Sequence, residues 1–136
     1  MKVAWYIVKW ILIVVVLGYS GLALFALLLA NKMVFPAPSS SYQDSEDIIR
    51  IPVGDGNWVS ALHLTHPQAK HLIIYSQGNG EDLGRSLSRL HELNRRGFAV
   101  LAWDYPGYGT SPGKPTEKSV LEASLNVLQY AREELQ

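Results

Sequence analysis

The residues best suited to chemistry sit in two glycine-rich stretches, Ser76-Gln77-Gly78-Asn79-Gly80-Glu81-Asp82 and Asp104-Tyr105-Pro106-Gly107-Tyr108-Gly109-Thr110-Ser111-Pro112-Gly113. In the first, Gly78 and Gly80 allow a sharp backbone turn that presents the N–H groups of Asn79 and Gly80 at the start of a helix. Paired N–H groups of this kind stabilise negative charge developing on a carbonyl oxygen, the task of an oxyanion hole. The plainer reading of either stretch is a tight turn that uses glycine for its dihedral angles. A third reading is a dinucleotide fingerprint: Gly78-x-Gly80-x-x-x-Gly84 opens a helix, and Asp104 falls where a ribose-binding carboxylate would stand. Against it, Asp104 runs into a long Pro/Gly loop with no counterpart in nucleotide-binding folds.

Nucleophiles and bases are less well supplied. The pattern G-x-S-x-G occurs once, as Gly109-Thr110-Ser111-Pro112-Gly113, but inside the Pro/Gly-rich stretch and not between an apolar strand and a helix, so Ser76, Ser111 and Ser124 have no elbow context. His63 and His66 are separated by two residues without a third or fourth ligand, so no metal site is expected. His71 begins an apolar strand and His91 lies in a helix pattern, where structural or solvent-facing roles are expected. No cofactor is expected, and the absence of cysteine removes disulfides, thiolate nucleophiles and Cys-ligated zinc.

The elements that must position the two stretches follow from hydrophobic pattern. Asp47 to Val53 and Asn57 to Leu64 are β-prone runs around Gly54-Asp55-Gly56, which predicts an antiparallel hairpin. HLIIYS (71–76) and FAVLAW (98–103) are almost continuously apolar, the composition of parallel strands covered on both faces. Between them Leu83, Leu87, Leu90 and Leu93 form the stripe of a helix packed on a sheet, closed by Arg95, Arg96 and Gly97. Strand, helix, strand is a right-handed crossover, and it brings both glycine-rich stretches to the carboxyl edge of one sheet, where ligands bind. A further helix is predicted from Thr116, its N-cap, to Leu135, with Val120, Val127, Ala131 and Leu135 on one side and Leu121 and Leu128 beside them. That helix calls for a further parallel strand beneath it.

The hydrophobic content of 48% is concentrated at the start. Ile11 to Ala30 contains no charge over twenty residues, enough to span about 30 Å as a helix. Trp5, Tyr6 and Trp10 precede the core of this run and Lys32 follows it, the pattern of an anchor; Leu28-Leu29-Ala30 makes a poor signal-peptidase site. Lys2 and Lys9 ahead of the run give a bias toward the N-terminus inside and the body on the outer, periplasmic or lumenal side. The net charge of 0 divides into a basic head and a body with nine basic and twelve acidic residues. No basic, aromatic-interleaved patch marks the body, which argues against a nucleic-acid partner. Three regions are therefore expected: a single-pass transmembrane anchor with flanks (1–32), a Pro- and Ser-rich juxtamembrane linker (33–45) and an α/β body (46–136).

Taken together, strand-SQGNGEDLG, strand-WDYPGYGTSPGKPTE and an amphipathic helix resemble the first half of the alpha/beta-hydrolase superfamily, over about residues 46–136. The resemblance is strongest to membrane-associated serine hydrolases, including lipid hydrolases and depalmitoylases with an N-terminal anchor. Their motifs are His-Gly-Asn in the first loop and Asp-Tyr-x-Gly-Tyr-Gly-x-Ser-x-Gly-x-Pro-Ser/Thr-Glu in the second. The resemblance implies that Asn79, with Gly80 beside it, donates N–H groups to an oxyanion. It makes Gln77, Gly78, Asp104, Gly107, Tyr108, Gly109 and Ser111 supports of the two loops. Gln77 departs from the pattern, which has histidine. The implied fold is an N-terminal transmembrane helix followed by an incomplete hydrolase core, a β-hairpin and then β-α-β-α. The implied reaction is acyl transfer from an ester, thioester or amide to a serine that, in this family, follows the next strand. The 136-residue chain is thus expected to be a fragment or truncated frame, inactive by itself. The alternative is a membrane-anchored, non-catalytic binding or assembly module.

Overall fold

The computed structural model describes residues 2–54 and 56–135. They divide into two compact units, Met1–Val34 and Phe35–Gln136. The first unit is a single helix, α1 (Lys2–Val34), which continues two residues past Lys32. Its mean hydropathy reaches 2.7, and its side chains from Val3 onward are almost all exposed, so by length and composition it is long and apolar enough to cross a membrane.

The second unit is an α/β arrangement: β1 (Ile48–Gly54), β2 (Asn57–Leu64), β3 (Leu72–Ser76), α2 (Leu83–Arg95), β4 (Ala99–Trp103) and α3 (Glu117–Glu134). The sheet is mixed, in the order β1-β2-β4-β3. β1 and β2 form the expected antiparallel hairpin, with Ile48 opposite Leu62 and an irregularity between Pro52 and Gly54. Gly54 and Gly56 take positive φ at its turn, whereas the contribution expected of Asp55 lies outside the described residues. β2 is antiparallel to β4, and β4 is parallel to β3.

Side-chain alternation along β4 explains its unbroken apolar sequence. Leu101 and Trp103 join Ile51, Val59 and Ala61 in a core against Ala123, Val127 and Ala131 of α3. Val100 and Ala102 join Leu62 in a second core against Leu83 and Leu90 of α2. With a helix on each face, both sets of side chains need to be apolar.

β3 departs from the expectation of a strand buried on both faces. Among the described residues it pairs only with β4, and Ile74 remains 37% exposed. The helices also place their apolar residues less evenly than their periodicity suggests. Leu83 and Leu90 are buried while Leu87 is exposed, and on α3 Leu121 and Leu128 are exposed beside the buried Val127. A sequence stripe wider than the contact with one sheet leaves its margin uncovered.

Both helices begin on side-chain caps. Asp82 accepts the Arg85 N–H at the start of α2. Thr116 and Ser119 form a reciprocal capping box at the start of α3, which satisfies donors that the first turn cannot bond internally. At the other end of α2, Gly97 takes positive φ and donates its N–H to the Asn94 carbonyl at 2.9 Å, releasing the chain into β4.

Candidate functional site

Ser76 and Trp103 are paired at the ends of β3 and β4, so the two glycine-rich loops leave the sheet side by side. The first residue of each loop meets the other: Gln77 Nε2 donates to Asp104 Oδ1 at 2.7 Å. The same oxygen accepts the Leu83 N–H at 2.9 Å. Asp104 thus ties together the beginning of the first loop and the beginning of α2, where that loop ends. Its own backbone is anchored by an N–H bond to the Ser60 carbonyl at 2.8 Å and by the Ser111 hydroxyl on its carbonyl at 3.3 Å.

The second loop grips the first by its carbonyls. Tyr105 Oη donates to the Gln77 carbonyl at 2.6 Å, and Tyr108 Oη donates to the Asn79 carbonyl at 2.8 Å. Burial pushes both phenols above their ordinary pKa, with charge repulsion from the hydroxyls of Tyr108 and Tyr75 adding to the rise at Tyr105, so both remain protonated donors at neutral pH. Within the first loop, the Gly78 carbonyl accepts the Glu81 N–H at 3.1 Å. In a trans peptide the C=O and the following N–H point in opposite directions. Holding the carbonyls of Gly78 and Asn79 therefore orients the N–H groups of Asn79 and Gly80 away from those bonds, and residues 78–80 are exposed.

The remaining sequence-predicted supports have distinct positions. Gly107 donates to the Ser111 carbonyl at 3.2 Å, closing the second loop on itself. Ser111 is buried and accepts the Ser60 N–H at 2.9 Å, so its hydroxyl is engaged in holding the loop. Gly109 has φ +51°, and a Cβ there would fall within contact distance of Asp104 Oδ2 and 2.7 Å from Tyr42 Oη. Of the other serines, Ser76 Oγ accepts the Trp103 Nε1–H at 3.3 Å and Ser124 on α3 donates to the Leu121 carbonyl. Among the described residues none of these hydroxyls is hydrogen-bonded to a histidine.

Asp104 is fully buried, and among the described residues its side chain meets the neutral donors of Tyr42, Gln77 and the Leu83 N–H. Burial pushes its pKa up to about 6, against the lowering effect of bonds from Tyr42, Gln77 and the Leu83 N–H. A histidine at position 77 would place an ionisable group against this carboxylate; the glutamine donates one neutral N–H. Gln77 Oε1 is buried without a hydrogen-bond partner, because turning the amide over would set that oxygen against the carboxylate. Asp82, in the same loop, behaves differently. Burial raises its pKa, but bonds from the Ser41 hydroxyl and N–H and from the Arg85 N–H outweigh that and leave it below the ordinary value.

Sequence reasoning missed Ser41, Tyr42, Ser60 and Thr110. Tyr42 Oη donates to Asp104 Oδ2 at 2.5 Å and lies 3.2 Å from Thr110 Oγ1, which contacts Ser60 Oγ at 2.7 Å. The cap made by Asp82 was accessible in principle, since an acid directly before a helical stripe is a start signal. A groove of about 460 Å³ lies beside these residues, bounded by Tyr42, Ile48, Leu62, Leu87 and His91, and it is not lined by Asn79 or Gly80. Among the described residues no group of three or more His, Cys, Asp or Glu side chains is arranged to hold a metal ion.

Comparison with known proteins places this geometry in context. Residues 67–126 match the family of serine aminopeptidases designated S33. Alpha/beta hydrolase domain-containing protein 17B of Homo sapiens is 34% identical over 84 residues, 60% of this chain and 29% of that protein. Alpha/beta hydrolase domain-containing protein 17C of Xenopus tropicalis is 36% identical over 91 residues, again covering 29% of its length. The chain thus spans less than a third of the length of these relatives. Among solved structures, an esterase of Pyrococcus furiosus superposes with a TM-score of 0.53 at 18% identity, over 71% of this chain and 42% of that one. An alpha-beta hydrolase of Vibrio vulnificus gives 0.52 at 15% identity, over 65% and 30%. At these identities the two structures bear on the fold alone.

Proposed function

Because the chain belongs to the alpha/beta-hydrolase superfamily, we propose that it supplies the oxyanion-binding part of a membrane-anchored serine hydrolase acting on ester, thioester or amide bonds. Asn79 and Gly80 donate their backbone N–H groups to the oxygen that becomes negative when a serine attacks the acyl carbon. Gln77, Gly78, Asp104, Gly107, Tyr108, Gly109 and Ser111 hold the two loops in register. In this reading the serine, acid and base are supplied from outside these 136 residues, which by themselves are inactive. The apolar α1 is the anchor, with Lys2 and Lys9 favouring a body on the outer side of the bilayer.

The observation that carries this reading is the Tyr108 hydroxyl on the Asn79 carbonyl at 2.8 Å. It fixes the peptide plane whose N–H is that of Gly80, so that the donor is oriented before any substrate arrives, and preorganised donors are the effective ones. The test is a chain in which this segment stands with a serine elbow, for instance a chimera replacing the aligned 84 residues of the human relative. Such a chimera is expected to react with a fluorophosphonate probe, the parent relative being the positive control. Asn79→Ala keeps the N–H and should change the rate modestly, whereas Asn79→Pro removes it and should cost about 10²-fold in kcat, roughly 3 kcal/mol. A folded chimera that hydrolyses equally well with Asn79→Pro refutes the assignment. Probe labelling of a serine within the 136-residue chain itself would place the nucleophile elsewhere.

A further inference from the structure

Two carboxylates bracket the donor loop. Asp104 Oδ1 holds its first residue through Gln77 and its exit through the Leu83 N–H, and Asp82 caps the helix that follows. Both carboxylates are held in turn by consecutive residues from a distant part of the chain. Ser41 donates its N–H to Asp82 Oδ2 at 2.6 Å and its hydroxyl to Asp82 Oδ1 at 2.5 Å. Tyr42 donates its hydroxyl to Asp104 Oδ2 at 2.5 Å. The direction of the tyrosine bond is set by its surroundings, because the Thr110 N–H donates to Tyr42 Oη at 3.4 Å and leaves the phenol proton for the carboxylate. The ring packs at the edge of the core formed by Leu62, Leu83 and Ala102. Two glycines accommodate this passage: a Cβ at Gly84 would collide with Ser41 Oγ and stand 3.1 Å from Tyr42 Cβ, and one at Gly109 would crowd Tyr42 Oη.

We propose that Tyr42 is a positioning residue, whose hydroxyl, with Ser41 beside it, immobilises Asp104 and Asp82 and so keeps the Asn79 and Gly80 N–H groups in donor orientation. The proposal rests on the acyl-transfer reading above. Its physical basis is the division of labour on Asp104. One oxygen serves the loop and the other serves Tyr42, so the tyrosine bond stops the carboxylate from turning about its terminal torsion, which is intrinsically soft. Without that bond both Oδ1 acceptor positions become loose together, and the loop loses its hold at each end. Charge-assisted bonds of this length are among the stronger ones in a folded protein.

The test is residue-resolved amide hydrogen exchange on the full chain in lipid nanodiscs, comparing wild type with Tyr42→Phe. The variant keeps the ring and removes only the hydroxyl. About tenfold faster exchange at the Leu83 amide, with the β4 amides of Val100 and Leu101 unchanged, is the expected result. Unchanged exchange at Leu83 overturns the proposal. So does equal acceleration at Leu83, Val100 and Leu101, which would make Tyr42 a general stabiliser. Ser41→Ala supplies a second reading, since loss of its hydroxyl bond to Asp82 should accelerate the Arg85 amide selectively; no change there overturns the part assigned to Ser41. Neither measurement involves turnover, so a failure leaves the acyl-transfer reading standing, while a folded but unreactive chimera removes that reading and leaves the exchange result intact.

Discussion

Asp104 makes the stability of the body depend on pH in a window where ordinary aspartates no longer titrate. Its pKa rises from 3.8 to about 6 on folding, mainly because burial penalises the charged form. Two units correspond to about 3 kcal/mol of difference between the protonation states. The folded chain binds this proton more tightly than the unfolded chain does. The stabilisation from protonated Asp104 is therefore fully present below about pH 4 and is lost as pH rises through about 6. Asp82 acts in the opposite direction, since its pKa is lowered in the fold, but its contribution is lost only as pH falls below the ordinary aspartate range. Between pH 7 and pH 4.5 the Asp104 effect dominates the pair. The perturbation is Asp104→Asn, which removes the titration while retaining an acceptor oxygen for the Leu83 N–H. The assay is exchange of the Val100 and Leu101 amides in the full chain in nanodiscs, taken as the ratio of wild type to variant at each pH so that intrinsic exchange cancels. Lowering the pH from 7 to 4.5 should improve wild-type protection relative to the variant by a factor of about 25. A ratio that stays flat across this range would refute the reasoning, because it would mean that Asp104 is solvated or paired in a way that spares it the cost of burial.

Two further outcomes follow from the same structure. Gly109→Ala forces a methyl group into Asp104 Oδ2 and Tyr42 Oη at a residue with φ +51°, so it should destabilise the body by about 2–4 kcal/mol in thermal melts followed by near-ultraviolet circular dichroism. Gly78→Ala, whose new carbon meets nothing closer than Glu81 Oε2 at 3.9 Å, should stay within about 0.5 kcal/mol of wild type, and equal effects at the two positions would show that close approach is not what selects glycine at 109. The second outcome concerns α1, which should keep the intact chain in the membrane pellet during alkaline carbonate extraction. A soluble product whose intact mass begins after the apolar run would exclude an anchor.

How much of this architecture is legible in the sequence depends on the range of the interaction. FAVLAW reads correctly as a doubly covered strand because Val100 and Ala102 join the core against one helix and Leu101 and Trp103 the core against the other, and the alternation is written into adjacent residues. Thr116 reads as a cap because its partner, Ser119, is three residues away. HLIIYS has the same apolar character as FAVLAW, yet Ile74 is exposed on a strand with one described neighbour; composition registers what a strand tolerates, not how many strands flank it. The segment holding Ser41 and Tyr42 lies furthest from local rules. With Pro36, Pro38 and a serine run it reads as a linker; residues 35–45 hold no helix or strand, but the bonds of Ser41 and Tyr42 to Asp82 and Asp104 span 41 and 62 positions. Hydrogen bonds over such distances impose no periodicity. They do leave complementary marks at the far end, where Gly84 and Gly109 stand bare against Ser41 and Tyr42. A loop glycine shows in sequence that something must come close or that the backbone must turn, and the fold alone reveals that here the close neighbour is the chain's own tyrosine, seated on the carboxylate that orders the donor loop.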